Sequence, residues 1–269
     1  MQQNSVGYIV GFAAAVCVAC SLLVSSTAVV LKEKQDVNKL LYKQQMVLDI
    51  SGLINEGDTP SVEEVNTFFA ERIDVLVLNM KTNVIDEDSG IEDPIGYNQL
   101  KASKDAALSS AVDKNLARVS RIPNHITVYI INDEDGNPSR YVLPVEGMGL
   151  WGTMYGFVAL DKDLNTIQGL TFYSHKETPG LGAEIDNPIW KAKWPGRLAR
   201  DDSGALAIRV IKGPAESPEE APHKVDGLSG ATLTSNGVTN LLHFWLGKEG
   251  FGPYLQSLGA ARPTEGSDV

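Results

Sequence analysis

Tyr8 to Leu31 is a run of 24 residues without a charged side chain, and the first charge in the chain is Lys32. A helix rising 1.5 Å per residue covers ~36 Å over that length, against ~30 Å of bilayer hydrocarbon, so the run can cross a membrane with modest tilt. A cleaved signal peptide is the rival reading, because Ser25, Ser26, Thr27 and Ala28 are small enough for a peptidase site. No basic residue precedes the run, however, and it exceeds a usual signal core, which favours an uncleaved anchor. The expected organisation is a short N-terminus over 1–7, a transmembrane helix over 8–31, a helical stalk over 32–56, one globular domain over 57–262 and a flexible tail over 263–269. Orientation has two opposing signals. Lys32, Lys34, Lys39 and Lys43 follow the span while nothing basic comes before it, which by the positive-inside rule points the domain to the cytoplasm. Whole domains translocate largely regardless of charge, so the signal is ambiguous.

Charge narrows the partners. The formal net charge is −11 and no stretch gathers the Lys and Arg needed to neutralise a row of phosphates, so nucleic acid is not an expected partner. The two cysteines, Cys17 and Cys20, both lie inside the apolar run. There they read as small apolar side chains, and the rest of the chain has no thiol for a disulfide, a zinc-thiolate site or an iron–sulfur cluster. The four histidines show no metal-binding spacing.

Beyond the span, Val37, Leu40, Leu41, Val47 and Leu48 form a rough amphipathic stripe that continues the helix to about Ile54. Ser61 and Glu64 have capping-box spacing ahead of a short helix through Phe68 and Phe69, with Gly57 and Pro60 marking the turn before it. Val75 to Met80 reads as a strand, and Asp86 to Asp93 as an acidic surface loop without calcium-loop spacing. Hairpins follow: His125–Ile131 with Arg140–Val145 across Asp133–Pro138, then Thr153–Leu160 with Thr166–Tyr173, and a further strand at Leu206–Ile211. Such short connections favour antiparallel pairing. The expected fold class is therefore α+β, one transmembrane helix followed by a largely antiparallel sheet packed by helices. A last helix is expected over Ser235–Leu246, burying Val238, Leu241, Leu242 and Trp245, with Ser235 or Thr234 as its cap and Gly247 ending it in a left-handed conformation.

Two motifs mislead. Gly147, Gly149 and Gly152 spell a dinucleotide fingerprint, but the residues after them read as a strand, which leaves a pyrophosphate no helix N-terminus. Gly227-Leu-Ser229-Gly-Ala231 nearly spells a serine-hydrolase elbow, yet fails at its fifth position and has no apolar strand leading in. What remains is Asp226-Gly-Leu-Ser229-Gly230-Ala231-Thr232-Leu-Thr234 before the last helix. Short Ser/Gly/Thr strings are usually turns with a cap. This one, however, resembles at every specified position the D-x-x-S-G-A-T motif that periplasmic flavin transferases modify. That resemblance implies an FMN bonded through its phosphate to the Thr232 hydroxyl. A negative phosphodiester beside a helix start is favoured by ~0.3–1 kcal/mol.

The resemblance covers nearly the whole chain. The anchor and stalk, Gly149-Leu150-Trp151, Glu177-Thr178-Pro179-Gly180-Leu181-Gly182, Asp226 to Gly237, Phe244-Trp245-Leu246-Gly247 and Phe251-Gly252-Pro253 together resemble the C subunit of the sodium-translocating NADH:quinone reductase. The G subunit of the Rnf complex, with the same flavin motif and anchor, is the nearest competitor. The resemblance implies an electron relay in a bacterial inner-membrane respiratory complex, with NADH as ultimate donor, ubiquinone as acceptor and sodium expelled. It also implies partner subunits, maturation by a flavin transferase and a periplasmic domain, against the lysine bias. On the same ground the Gly149–Trp151 and Glu177–Gly182 loops are expected against the flavin, where Trp151 either stacks on the ring or is an ordinary core residue. No residue is expected to act as a general acid or base. The competing classes are a cofactor-free anchored assembly module and a hydrolase using Ser229.

Overall fold

The computed structural model describes residues 5–55 and 57–261. Residues 1–4, in the expected N-terminal segment, and the expected tail at 263–269 lie outside the described residues. The chain divides into two compact units, Met1–Lys43 and Gln44–Val269. In the first unit nearly all the described residues belong to helix α1, Val6–Ser51, whose apolar side chains from Val6 to Leu31 stand exposed. Among the described residues α1 is the one helix long and apolar enough to cross a membrane.

The second unit begins with the end of α1, where Val47, Leu48 and Ile50 are buried. Then come α2 (Val62–Arg72), β1 (Ile73–Asn79), β2 (Val84–Ile85), α3 (Gln99–Lys104), β3 (Ser109–Ala111), β4 (Arg121–Pro123), β5 (His125–Asn132), β6 (Pro138–Met148), β7 (Thr153–Asp161) and β8 (Thr166–Ser174). A 3-10 turn at Gly182–Asp186 leads to α4 (Pro188–Lys191), β9 (Arg197–Leu198), β10 (Arg209–Val210), β11 (Lys224–Val225), α5 (Thr232–Trp245) and α6 (Gly252–Ala261). Seven strands form one sheet in the order β2-β1-β5-β6-β7-β8-β9, each neighbouring pair antiparallel. The expected α+β architecture, with its two hairpins, is what forms.

Strand alternation sends neighbouring residues to opposite faces. One face carries α2, whose Phe69 ring meets Tyr129 edge-on at 6.2 Å, and Ile50 of α1, which closes on Gly169. The other carries α5, which buries Val238, Leu241 and Leu242, each stabilising by about 1.5–3 kcal/mol. Glycine permits that seat. A Cβ on Gly147 of β6 would lie 2.6 Å from the Leu241 Cβ, and one on Gly237 of α5 would lie 2.5 Å from the Met148 carbonyl oxygen.

The α2 start is as the sequence predicts: Ser61 Oγ accepts the Glu64 N–H, and the Glu64 carboxylate accepts the Ser61 N–H. Three expectations need correction. First, α5 begins at Thr232, three residues early, and neither Thr234 nor Ser235 caps it. Both side chains are committed elsewhere, Thr234 donating to Glu177 and Ser235 Oγ accepting the Leu228 N–H. Second, Gly247 is not left-handed; glycine is needed there because a Cβ would lie 2.4 Å from the His243 carbonyl oxygen. Third, the strand expected over Leu206–Ile211 shrinks to Arg209–Val210, because Leu206 instead bridges to Arg200 around a turn and β10 pairs in parallel with β11.

Candidate functional site

The Asp226–Thr232 segment leaves β11 and is pinned at its start. The Asp226 carboxylate pairs with Lys193 Nζ at 2.9 Å and accepts the Ala215 N–H at 3.1 Å, while its carbonyl accepts the Trp190 indole N–H at 2.9 Å. Gly227 passes so close to the Ile211 carbonyl that a Cβ would lie 2.1 Å from that oxygen. Leu228 is buried, whereas Ser229 and Gly230 are exposed. Gly230, at φ +72°, turns the chain through the left-handed region that glycine enters most readily. Buried Ala231 then occupies the cap position of α5, where no side chain receives the helix amides. Ser235 is the first residue of the helix whose N–H finds a carbonyl of this turn, that of Ala231 at 3.0 Å. Thr232, the first residue of the helix, is exposed among amides that no side chain caps.

Glu177 ties this helix start to two loops. Its buried carboxylate accepts the Trp151 N–H at 2.9 Å, the Leu150 N–H at 3.2 Å and the Thr234 hydroxyl at 2.5 Å. Glycine clears the space around it. A Cβ on Gly149 would lie 2.5 Å from one carboxylate oxygen, and a Cβ on Gly182 would lie 2.7 Å from the other. Thr178 closes the second loop by accepting the Leu181 and Ala183 N–H groups at its carbonyl, with exposed Pro179 between it and Gly180 at φ +74°. A Cβ on Gly230 would lie 3.0 Å from Leu181, so this loop also reaches the turn before Thr232.

The structure therefore gathers Gly149, Leu150, Trp151, Glu177, Leu181, Gly182, Gly230 and Thr234 about the start of α5. Asp226 is engaged instead with Lys193 and anchors the segment from behind. Trp151 is 64% exposed, which removes the core alternative, and Leu150, Leu181 and Leu233 are likewise exposed. Exposed Leu233 escapes a reading of the sequence because it looks like an ordinary helix residue. His175 escapes it too, although it stands two residues ahead of the Glu177–Gly182 motif. Its Nδ1 accepts the Glu177 N–H at 3.1 Å, so its Nε2 carries the proton directed at Asp186, 2.6 Å away.

Among the described residues no histidine is hydrogen-bonded to Ser229. His223 meets the Leu198 carbonyl and His243 the Ile208 carbonyl, each as donor, so both histidines near it in sequence are engaged elsewhere. The dinucleotide fingerprint is a hairpin turn, with the Gly149 N–H donating to the Gly152 carbonyl and β7 starting at Thr153. On the adjacent strand the Glu146 carboxyl is pushed up to about 7 by burial, an effect that Lys104 nearby partly offsets.

The arrangement is an exposed threonine hydroxyl at an open helix start, flanked by glycine-cleared loops and a rim of apolar side chains. It can hold a phosphate ester at the helix amides and a flat apolar ring on the rim. Comparison with known proteins assigns these residues to an FMN-binding domain. The FMN-binding domain family matches residues 149–247, which include every part of the site. The chain is 48% identical to the Na(+)-translocating NADH-quinone reductase C subunit of Pseudomonas aeruginosa over 90% of this chain and 92% of that one. It is 41% identical to the protein of the same name from Yersinia pestis, over 95% and 94%. The crystal structure of Shewanella oneidensis NqrC superposes with a TM-score of 0.76 at 34% identity, covering 84% of this chain and all of the other.

Proposed function

The chain belongs to the C-subunit family of the Na(+)-translocating NADH-quinone reductase, and on that premise we propose that it relays electrons through an FMN bonded by its phosphate to Thr232. It is an electron-transfer subunit of that multi-subunit oxidoreductase and works with the other subunits of the complex. The observation that supports attachment at Thr232 is its placement: an exposed hydroxyl on the first residue of a 14-residue helix that no side chain caps. The ester would form between Thr232 Oγ1 and the flavin phosphorus of a flavin dinucleotide donor, with the donor's pyrophosphate bond broken, the nucleoside monophosphate leaving and the hydroxyl proton lost, on a flavin transferase outside the cytoplasm.

Each neighbouring group then has a part. The amides at the start of α5 and its dipole favour the negative phosphodiester. The exposed Trp151, Leu150, Leu181 and Leu233 offer an apolar rim to the isoalloxazine. Bound there, the flavin would supply the one-electron chemistry, and the protein supplies position. Helix α1 serves as a single-pass anchor in the bacterial inner membrane, with the domain on the periplasmic side.

Intact mass of the membrane-extracted chain tests the proposal. The expected result is a gain of one FMN that is absent from Thr232→Ala, together with in-gel flavin fluorescence lost in the same variant. An unmodified chain from cells with an active transferase would overturn it and leave the cofactor-free assembly role. Protease added to intact spheroplasts tests the orientation, and complete protection of the domain would contradict a periplasmic location.

A further inference from the structure

Among the described residues Glu177, at 5% exposure, is the least exposed acidic residue, and its carboxylate is met by three neutral donors. A buried charge left without partners costs several kcal/mol, so those donors are what make the position tolerable. They come from two places in the site: the two amides of the Gly149–Trp151 turn, and Thr234 in the first turn of α5. Glu177 is itself held from behind, since its N–H goes to His175 and His175 goes to Asp186. Its tightest backbone contact, 2.9 Å, is to the amide of Trp151, the most exposed aromatic side chain on the rim.

We propose that Glu177 is a positioning residue of the flavin site, which fixes the Trp151 backbone and so directs the exposed indole onto the isoalloxazine ring. The inference rests on the flavin reading above and deepens it. A carboxylate suits the task because it is acceptor-only and can receive several N–H and O–H groups at once. A glutamine of the same shape would turn an NH2 toward groups that are themselves donors, so at least one of the three bonds is lost. The Trp151 turn would then loosen without a change in side-chain volume.

The test uses the full chain, loaded with flavin in cells and purified in detergent, with intact mass and flavin emission read on the same sample. An indole in contact with an isoalloxazine quenches its emission by electron transfer. Glu177→Gln is expected to retain the FMN mass and to emit several-fold more than the parent; Trp151→Ala is expected to do the same. The double variant should emit no more than either single variant, because both act on one contact. Unchanged emission from loaded Glu177→Gln, additive increases in the double variant, or loss of the FMN mass from a folded Glu177→Gln would overturn the inference. If Glu177→Gln does not fold, Gly149→Ala decides instead, because its Cβ, 2.5 Å from the carboxylate, displaces the clamp without altering charge. Raised emission there supports the inference and parental emission sinks it. Failure of the flavin reading itself has a separate signature, an unmodified parent chain.

Discussion

Helices α2 and α5 cover opposite faces of one sheet and begin in opposite ways. The α2 start is closed upon itself, with the Ser61 hydroxyl and the Glu64 carboxylate each taking an amide. The α5 start is open, with an alanine at the cap position and Thr232 exposed as its first residue. A closed start stabilises its helix and leaves little for a ligand; an open one forgoes about 1 kcal/mol of capping and keeps its amides for an anion. The side chains whose sequence position suits them to capping α5, Thr234 and Ser235, instead bind the start to Glu177 and Leu228. The open helix is thus held in place by tertiary contacts, where the closed one carries its own stop.

That dependence can be broken at the seat of α5. Gly237→Ala gains up to ~1 kcal/mol of helix propensity but drives a Cβ to 2.5 Å from the Met148 carbonyl and 3.2 Å from the Gly149 backbone. Overpacking against backbone should dominate, for a net loss of about 2–3 kcal/mol in thermal or denaturant unfolding. FMN loading by mass should fall with it, because the helix start separates from the Gly149–Trp151 turn. An equally stable, fully loaded variant would show that α5 does not need this close seat.

The next effect sharpens the contrast through pH. Glu146 and Gly147 are neighbours on β6; Gly147 lies under α5, while Glu146 lies opposite Tyr155 on the face that α2 covers. Burial pushes Glu146 up to about 7 from its ordinary 4.5. The folded protein then holds a proton that the unfolded chain has released, so stability falls as pH rises from about 4.5 through about 7. Glu146→Gln should therefore gain on the order of 2 kcal/mol at pH 8 and nothing near pH 4.5, with flavin loading unchanged. Equal gains at both pH values would show that its carboxyl is not ionising against burial.

Much of the fold is legible in the sequence because its signals are local. Short β-rich runs mark β5 to β8, the Asp133–Pro138 turn marks a hairpin, and Ser61 with Glu64 marks the start of α2. The start of α5 is illegible for the complementary reason. Its boundary is set by Glu177, 57 residues away, and by a Leu228 amide, and no spacing rule sees either. The candidate site divides in the same way. Ser229 to Thr232 stand out as a string, and the glycines of both loops stand out as turns. That Gly149 and Gly182 clear space for one carboxylate appears only once the chain has folded around it. The contraction of the Leu206–Ile211 strand has a mixed origin: Leu206 pairs locally with Arg200 around a turn, while Arg209 and Val210 pair with the more distant Lys224 and Val225.

The smallest predicted effect separates the two helix starts most directly. Ser61→Ala should cost about 1 kcal/mol of domain stability whether or not the chain carries flavin, because its capping box lies outside the flavin site. Ala231→Ser offers α5 the hydroxyl cap it lacks, and in the unmodified Thr232→Ala background it should gain roughly 0.5–1 kcal/mol. In the FMN-bearing chain that gain should vanish, because a phosphodiester already occupying those amides leaves the new hydroxyl nothing to accept. The difference between the two backgrounds measures the coupling of flavin and helix start without chemical stripping of the flavin. An identical gain in both would mean the phosphate does not use the α5 amides, and the open start would then need another explanation.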